Sequence, residues 1–150
     1  MNTPVTLIIS GGQTGADWGG LLAAADVGIA IGGLAPKGYL TELGANLELA
    51  KFGLVESDSA DYEVRTVHNV LAADATVIFA DHIDSDGTKL TIATCIKYQK
   101  PYLINPNALT LHDWLLEQQI KVLNVAGNRE SIAQGISDRT RQIVRDALLY

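Results

Sequence analysis

Three short stretches carry residue types suited to chemistry, and each stands where an apolar run gives way to a helical pattern. The first is Ser10-Gly11-Gly12-Gln13-Thr14-Gly15-Ala16-Asp17. Its glycines let the backbone approach a ligand closely, and its free N–H groups and the positive end of the following helix favour phosphate. Gly12 is thus expected to face the phosphate, so that Gly12→Val would block binding and leave the fold intact. Asp17, in the first helical turn, either accepts ribose hydroxyls or only offsets the helix dipole. No Gly-Lys-Ser/Thr follows, so this is not a P-loop. The second stretch is Asp84-Ser85-Asp86-Gly87-Thr88, a backbone nest with a hydroxyl that suits a phosphate or ribose. Its plainer reading is a helix start with Asp86 as N-cap. The third is Ala126-Gly127-Asn128-Arg129-Glu130-Ser131, where a guanidinium beside a glycine turn suits bidentate phosphate recognition. Its plainer reading is a surface pair between Arg129 and Glu130.

The candidate ligand-binding set is therefore Ser10, Gly11, Gly12, Gln13, Thr14, Gly15, Asp17, Asp86, Gly87, Thr88, Gly127 and Arg129, with Lys37 in reach from Pro36-Lys37-Gly38. Asp17 and Glu130, with Glu42, are the carboxylates that could serve an enzyme at this site. No metal site is expected. His68, His82 and His112 share no ligand spacing with one another or with Cys95, and the Asp84/Asp86 pair lacks the spacing and closing glutamate of a calcium loop. Cys95 falls on the apolar side of a helical pattern and is expected to be an inert core residue. Trp18 either stacks on a base or packs at a subunit contact. No cofactor is expected other than a nucleotide-derived ligand.

The elements that must position these loops alternate. Strands are expected at Thr6–Ile9, Ile29–Gly32, Ala75–Ala80, Pro101–Asn105 and Lys121–Ala126. Helices are expected at Thr14–Val27, Asp61–Ala72, Gly87–Tyr98, Leu109–Gln119 and Asp138–Leu149. The Asp61–Ala72 helix should turn Val64, Val67, Val70 and Leu71 inward, and Ser137 should cap the last helix. Between Ile29 and Ser59 the pattern is poor, and a long loop with one helical turn at Leu43–Lys51 is expected. Uniformly apolar strands alternating with helices imply a single doubly wound α/β domain, its mainly parallel sheet covered on both faces. Ligands in such sheets sit outside the carboxyl ends of the strands, where these loops lie.

Composition narrows the partners. The chain has 150 residues, 47% of them hydrophobic and 19% charged, which suits a core-rich domain and not a disordered one. A net charge of −6 with no basic run argues against nucleic acid as a partner. Val5–Ile9 is far too short to span a bilayer, and Asp26 interrupts Gly19–Leu34, so no membrane partner is expected. One cysteine and no basic leader segment make the cytoplasm the expected location.

At these same loops the chain resembles a known family. Ser10–Asp17, Pro36-Lys37-Gly38, Ser59-Ala60-Asp61-Tyr62 with Arg65-Thr66 and Asn69-Val70, Gly87-Thr88 and Val122–Ser131 occur in the order seen in the molybdenum-carrier family. That family is a circularly permuted branch of the SLOG nucleotide-binding superfamily. The resemblance implies a Rossmann-like, SLOG-type fold, ligands built on nucleotides such as ADP-ribose or NAD derivatives, and assembly as a homo-oligomer. Two departures stand out. Trp18 replaces the basic residue that usually follows the first motif. Hydrolytic relatives carry PGGxGTxxE, against which this chain places Asp84 and Ser85 at two glycines and Thr91 at the catalytic glutamate. Capture of a phosphorylated nucleotide-like molecule is therefore expected ahead of N-glycosidic or phosphoribosyl hydrolysis, and both ahead of a scaffold without a ligand.

Overall fold

A computed structural model describes residues 3–150. The chain runs β1 (Leu7–Ile9), α1 (Ala16–Val27), β2 (Ala30–Gly32), β3 (Leu34–Ala35), a 3-10 turn at Lys37–Tyr39, β4 (Leu40–Thr41) and β5 (Gly44–Ala45). It continues through α2 (Glu48–Phe52), β6 (Val55–Glu56), α3 (Tyr62–Ala72), β7 (Ala75–Phe79), α4 (Asp86–Lys97), β8 (Tyr102–Ile104), α5 (Ala108–Glu117), β9 (Val122–Gly127) and α6 (Ile136–Leu149).

The apolar runs pair into one five-stranded sheet in the order β2-β1-β9-β7-β8, and every pairing in it is parallel. All five residues of β7 are buried, as a strand covered on both faces requires. The β1-to-β2 and β7-to-β8 crossovers travel toward opposite edges of the sheet. Right-handed connections then put α1 and α4 on opposite faces. The packing agrees: α1 and α5 both lie against α6, while α3 lies against α4. The main core forms where Ile8, Val77, Leu123 and Val125 of the sheet meet Leu111, Leu115, Val144 and Leu148 of the helices. Among the described residues, no helix is long and apolar enough to cross a membrane.

Since β1, β9 and β7 are parallel neighbours, Gly12, Gly127 and Gly87 all leave the same sheet edge, as the sequence predicts. The segment between Gly33 and Glu56 departs from expectation. Instead of a plain loop it holds two small sheets, with β3 parallel to β6 and β4 antiparallel to β5, and its helix is Glu48–Phe52. Two-residue strands are too short to show an apolar alternation. This insert has its own apolar cluster of Leu21, Ala35, Leu49 and Leu54, with Trp18 and Phe52 at its margin.

Three local expectations are corrected. On α3, Val64 and Leu71 are exposed and Val67 is half-buried, because buried Asn69 shares the inward position with Val70. Its amide accepts from Leu34 N at 2.9 Å and donates to Leu34 O at 3.0 Å, which fastens β3 to the helix. Ser85, not Asp86, is the N-cap of α4. Gly135, not Ser137, precedes α6, and the Glu130 carboxylate does the capping by accepting from Gly135 N at 2.6 Å and Ser137 N at 3.1 Å.

Candidate functional site

The first loop is held from beneath by a buried charge. Asp17 is 4% exposed, and its Oδ2 accepts from Gln13 N at 3.1 Å and from Arg65 Nη1 at 3.2 Å. Burial pushes the Asp17 carboxyl above its ordinary value, and the Arg65 charge pulls against that shift. The Ser10 hydroxyl bridges Gly12 N and Asp17 O, at 3.2 Å each. Asp17 therefore anchors the loop and is turned into the fold. Arg65 arrives from α3 and lies across Gly11, where an added Cβ would meet its Nη1 at 1.9 Å. Its Nε is buried and unpartnered among the described residues, and its guanidinium stacks over Tyr62 at 5.3 Å.

The glycines serve the meeting of loops more than contact with a ligand. A Cβ at Gly15 would lie 2.3 Å from Asn128 O, and one at Gly127 would lie 1.8 Å from Phe79 O. Gly12 has φ +76°, and its missing Cβ points at Leu49 Cδ1, 2.8 Å away. The expectation that Gly12→Val would leave the fold intact is therefore corrected: the added side chain would run into the insert, although Gly12 itself lines the cavity. The Asn128 side chain joins the third loop to the second. It accepts from His82 N at 2.9 Å, and its Nδ2 lies 3.0 Å from His82 O, 3.1 Å from Ser85 Oγ and 3.2 Å from Thr88 Oγ1.

Above this floor, at the N-terminus of α1, is a cavity of about 280 Å³. Gly12, Gln13, Thr14, Gly15 and Trp18 form one wall, Thr41, Leu43 and Asn46 of the insert the second, and Glu130 with Ser137 the third. Trp18 is half-buried and meets Phe52 edge-on at 5.4 Å between centroids. On the rim, Glu42 accepts from the hydroxyls of Thr14 and Ser131 and from Ser131 N at 3.2 Å. Arg129 Nε lies 3.7 Å from Glu42 Oε1, so Arg129 pairs with the insert and not with Glu130. Burial pushes the Glu42 carboxyl up, but the Ser131 and Thr14 hydrogen bonds and the Arg129 charge outweigh it and hold it below its ordinary value.

The structure thus brings Gly12, Gln13, Thr14, Gly15 and Glu130 around one cavity, while Arg129 stands beside it, paired with Glu42 and outside the lining. Ser10, Gly11 and Asp17 lie buried under it. Asp86 and Gly87 are exposed at the start of α4 and do not line it, Thr88 is buried against Asn128, and Gly127 is spent on the contact with Phe79. Lys37 is exposed and also lies outside the lining, with its N–H donating to Ser59 O at 2.9 Å. Among the described residues, no group of three or more His, Cys, Asp or Glu side chains is arranged to hold a metal. Cys95 is buried, and burial pushes its thiol up. Residue-by-residue reading missed Arg65 and Asn128 as parts of the site. Their only signal was membership of the ordered motifs.

Comparison with known proteins matches the fold. Residues 8–148 match the circularly permutated YpsA SLOG family. A search of curated proteins finds no match. Among solved structures, the crystal structure of a "putative molybdenum carrier protein" from Syntrophus aciditrophicus is similar at a TM-score of 0.83 and 36% identity, over 98% of this chain and 94% of that one. With the family matched from β1 into α6, and a fold neighbour alike along nearly its whole length, the chain belongs to the circularly permutated YpsA SLOG family.

Proposed function

We propose that this protein binds a phosphorylated, nucleotide-derived small molecule, of ADP-ribose or NAD type, at the cavity between its Gly-rich loops and the insert. The observation that supports the reading is the convergence of the α1 N-terminus, Thr14 and the Trp18 ring on one opening at the carboxyl edge of a parallel sheet, with the Arg129–Glu42 pair tied to Thr14 beside it. Phosphate suits the Thr14 hydroxyl and the guanidinium, and a flat ring suits the indole. The amides of Gly12, Gln13, Thr14 and Ala16, expected to be free, instead donate to Ser10, Asp17, Gln13 and Asn128.

We further propose that the ligand is held and not turned over. Glycosidic cleavage needs a carboxylate free to act on the reacting centre. Asp17 is engaged by Arg65 and Glu130 by the start of α6, and Glu42 is engaged by Thr14 and Ser131 in the ligand-free protein. Thr91 is buried with its hydroxyl donating to Gly87 O at 3.0 Å. The similar protein's name suggests molybdenum as cargo; molybdate is a tetrahedral dianion and would compete for the same donors. A cytoplasmic location belongs to the same proposal. So does homo-oligomer assembly, supported by exposed Leu43, Leu47 and Val55 on the insert.

The test incubates the protein with excess ADP-ribose, NAD, nucleoside monophosphates or molybdate, then heat-denatures it and analyses the supernatant by chromatography and elemental analysis. Intact nucleotide released in proportion to protein supports the reading. Free base or ribose 5-phosphate beyond one equivalent would make the protein a hydrolase, and retention of molybdate alone would make the oxyanion its cargo.

A further inference from the structure

The rim of the cavity already holds an anion, and that anion is the protein's own. Two hydroxyls, a backbone N–H and a guanidinium converge on the Glu42 carboxylate. That is a donor set suited to a phosphate group. All four donors come from the first and third loops, whereas the acceptor comes from elsewhere, at the tip of the β4–β5 hairpin.

Side-chain bonds tie the hairpin to the loops at one residue, while its base is closed by Asn46 N donating to Tyr39 O at 2.9 Å. Among the described residues, every hydrogen bond involving a side chain that joins Leu40–Ala45 to the rest of the chain runs through Glu42, by its carboxylate or by its N–H to Gln13 Oε1 at 2.9 Å. The Thr41 hydroxyl is spent inside the hairpin, on Gly44 O at 2.7 Å and Leu43 N at 3.1 Å. Leu43 at the tip is 85% exposed, although it also contributes to the cavity wall.

We propose that Thr14, Arg129 and Ser131 form a phosphate-type oxyanion subsite in which Glu42 is a built-in competitor, so that a phosphate monoester displaces Glu42 and releases the hairpin. This rests on the ligand reading above and adds which part of the ligand goes where. A phosphate monoester brings nearly two negative charges and three acceptor oxygens against the single charge and two oxygens of the carboxylate. The displaced Glu42 has open solvent beside the exposed tip to move into. Empty protein is then closed by its own side chain, and loaded protein swings Leu43 and Asn46 away from the cavity wall.

Calorimetry with orthophosphate and 5′-AMP on the wild type, Glu42→Ala and Glu42→Gln tests this, together with hydrogen exchange at Leu40–Ala45. Both variants should bind about tenfold tighter than the wild type, equivalent to about 1.4 kcal/mol, with Glu42→Gln covering the case in which Glu42→Ala fails to fold. Adding 5′-AMP should speed exchange in the wild-type hairpin and leave the already fast hairpin of Glu42→Ala unchanged. Binding equal to or weaker than wild type in both variants makes Glu42 a fixed staple and overturns the proposal. If ADP-ribose binds while phosphate and 5′-AMP ignore every substitution at Glu42, the subsite is wrong and the ligand reading stands. If no nucleotide binds any variant, both fall.

Discussion

Two arginine–carboxylate pairs secure the candidate site, and they lie in different surroundings. Asp17 and Arg65 meet inside the protein, with side chains 5% and 13% exposed, and Asp17 is pushed up by burial in spite of its partner. Glu42 and Arg129 meet at the rim, where Arg129 is 46% exposed and Glu42 is held down by the hydrogen bonds of Thr14 and Ser131. In the first pair desolvation outweighs attraction, and neither partner can be given up without stranding a buried charge. In the second, solvent reaches Arg129, although the Glu42 side chain is only 14% exposed. The buried pair builds the loop, and on the proposed function the rim pair is the one a ligand would engage.

The sharpest way to break that comparison is Asp17→Ala. It leaves Arg65 buried without its counter-charge and should cost roughly 3–5 kcal/mol in urea unfolding. A loss below about 1 kcal/mol would place both pairs in the same class as exposed ion pairs. Gly12→Val comes next. With positive φ and Leu49 in the path of its side chain, it should destabilise the ligand-free protein by about 1–3 kcal/mol. An unchanged unfolding midpoint with lost ligand binding would restore a phosphate-facing role to Gly12.

Arg129→Ala should separate the two pairs from the other side. Its exposed ion pair is worth at most about 1 kcal/mol of stability, whereas loss of a charge-assisted contact should weaken nucleotide binding by roughly 1.5–3 kcal/mol. Equal losses in both measurements would make Arg129 structural.

The smallest effect is on pH dependence, where the two carboxylates have opposite signs. Glu42, lowered in the fold, contributes stability above its unfolded value near 4.5 and loses it as pH falls through its folded value. Asp17, raised in the fold, contributes stability below its unfolded value near 3.8 and loses it as pH rises through its folded value. Glu42→Gln should therefore flatten the acid limb of stability below about pH 5. A steeper limb in the variant would reverse the assignment.

How much of this was legible follows from distance along the chain. The sheet was readable because β7 and β9 are five and six residues long and apolar enough to announce themselves. Thr14, Gly15 and Arg129 were readable because strand-to-helix loop chemistry is local. The partners were not. Arg65 reaches Asp17 across 48 positions and Ser131 reaches Glu42 across 89, and no periodicity encodes which carboxylate meets which donor. The insert hid for a different reason: its pairing is made in two-residue strands, and its apolar cluster is completed from outside by Trp18, Leu21 and Ile31.

The central claim, that the cavity between the loops and the insert takes a phosphorylated nucleotide-like ligand, is tested most directly by titrating ADP-ribose into isotopically labelled protein and following backbone amides by NMR. Saturable shifts at Thr14, Gly15, Glu130 and Ser131, complete at one equivalent, with Ala108–Glu117 of α5 unmoved, are the predicted result. Saturable shifts confined to Asp84–Thr88, or no saturable shift at any loop of the carboxyl edge, would contradict it.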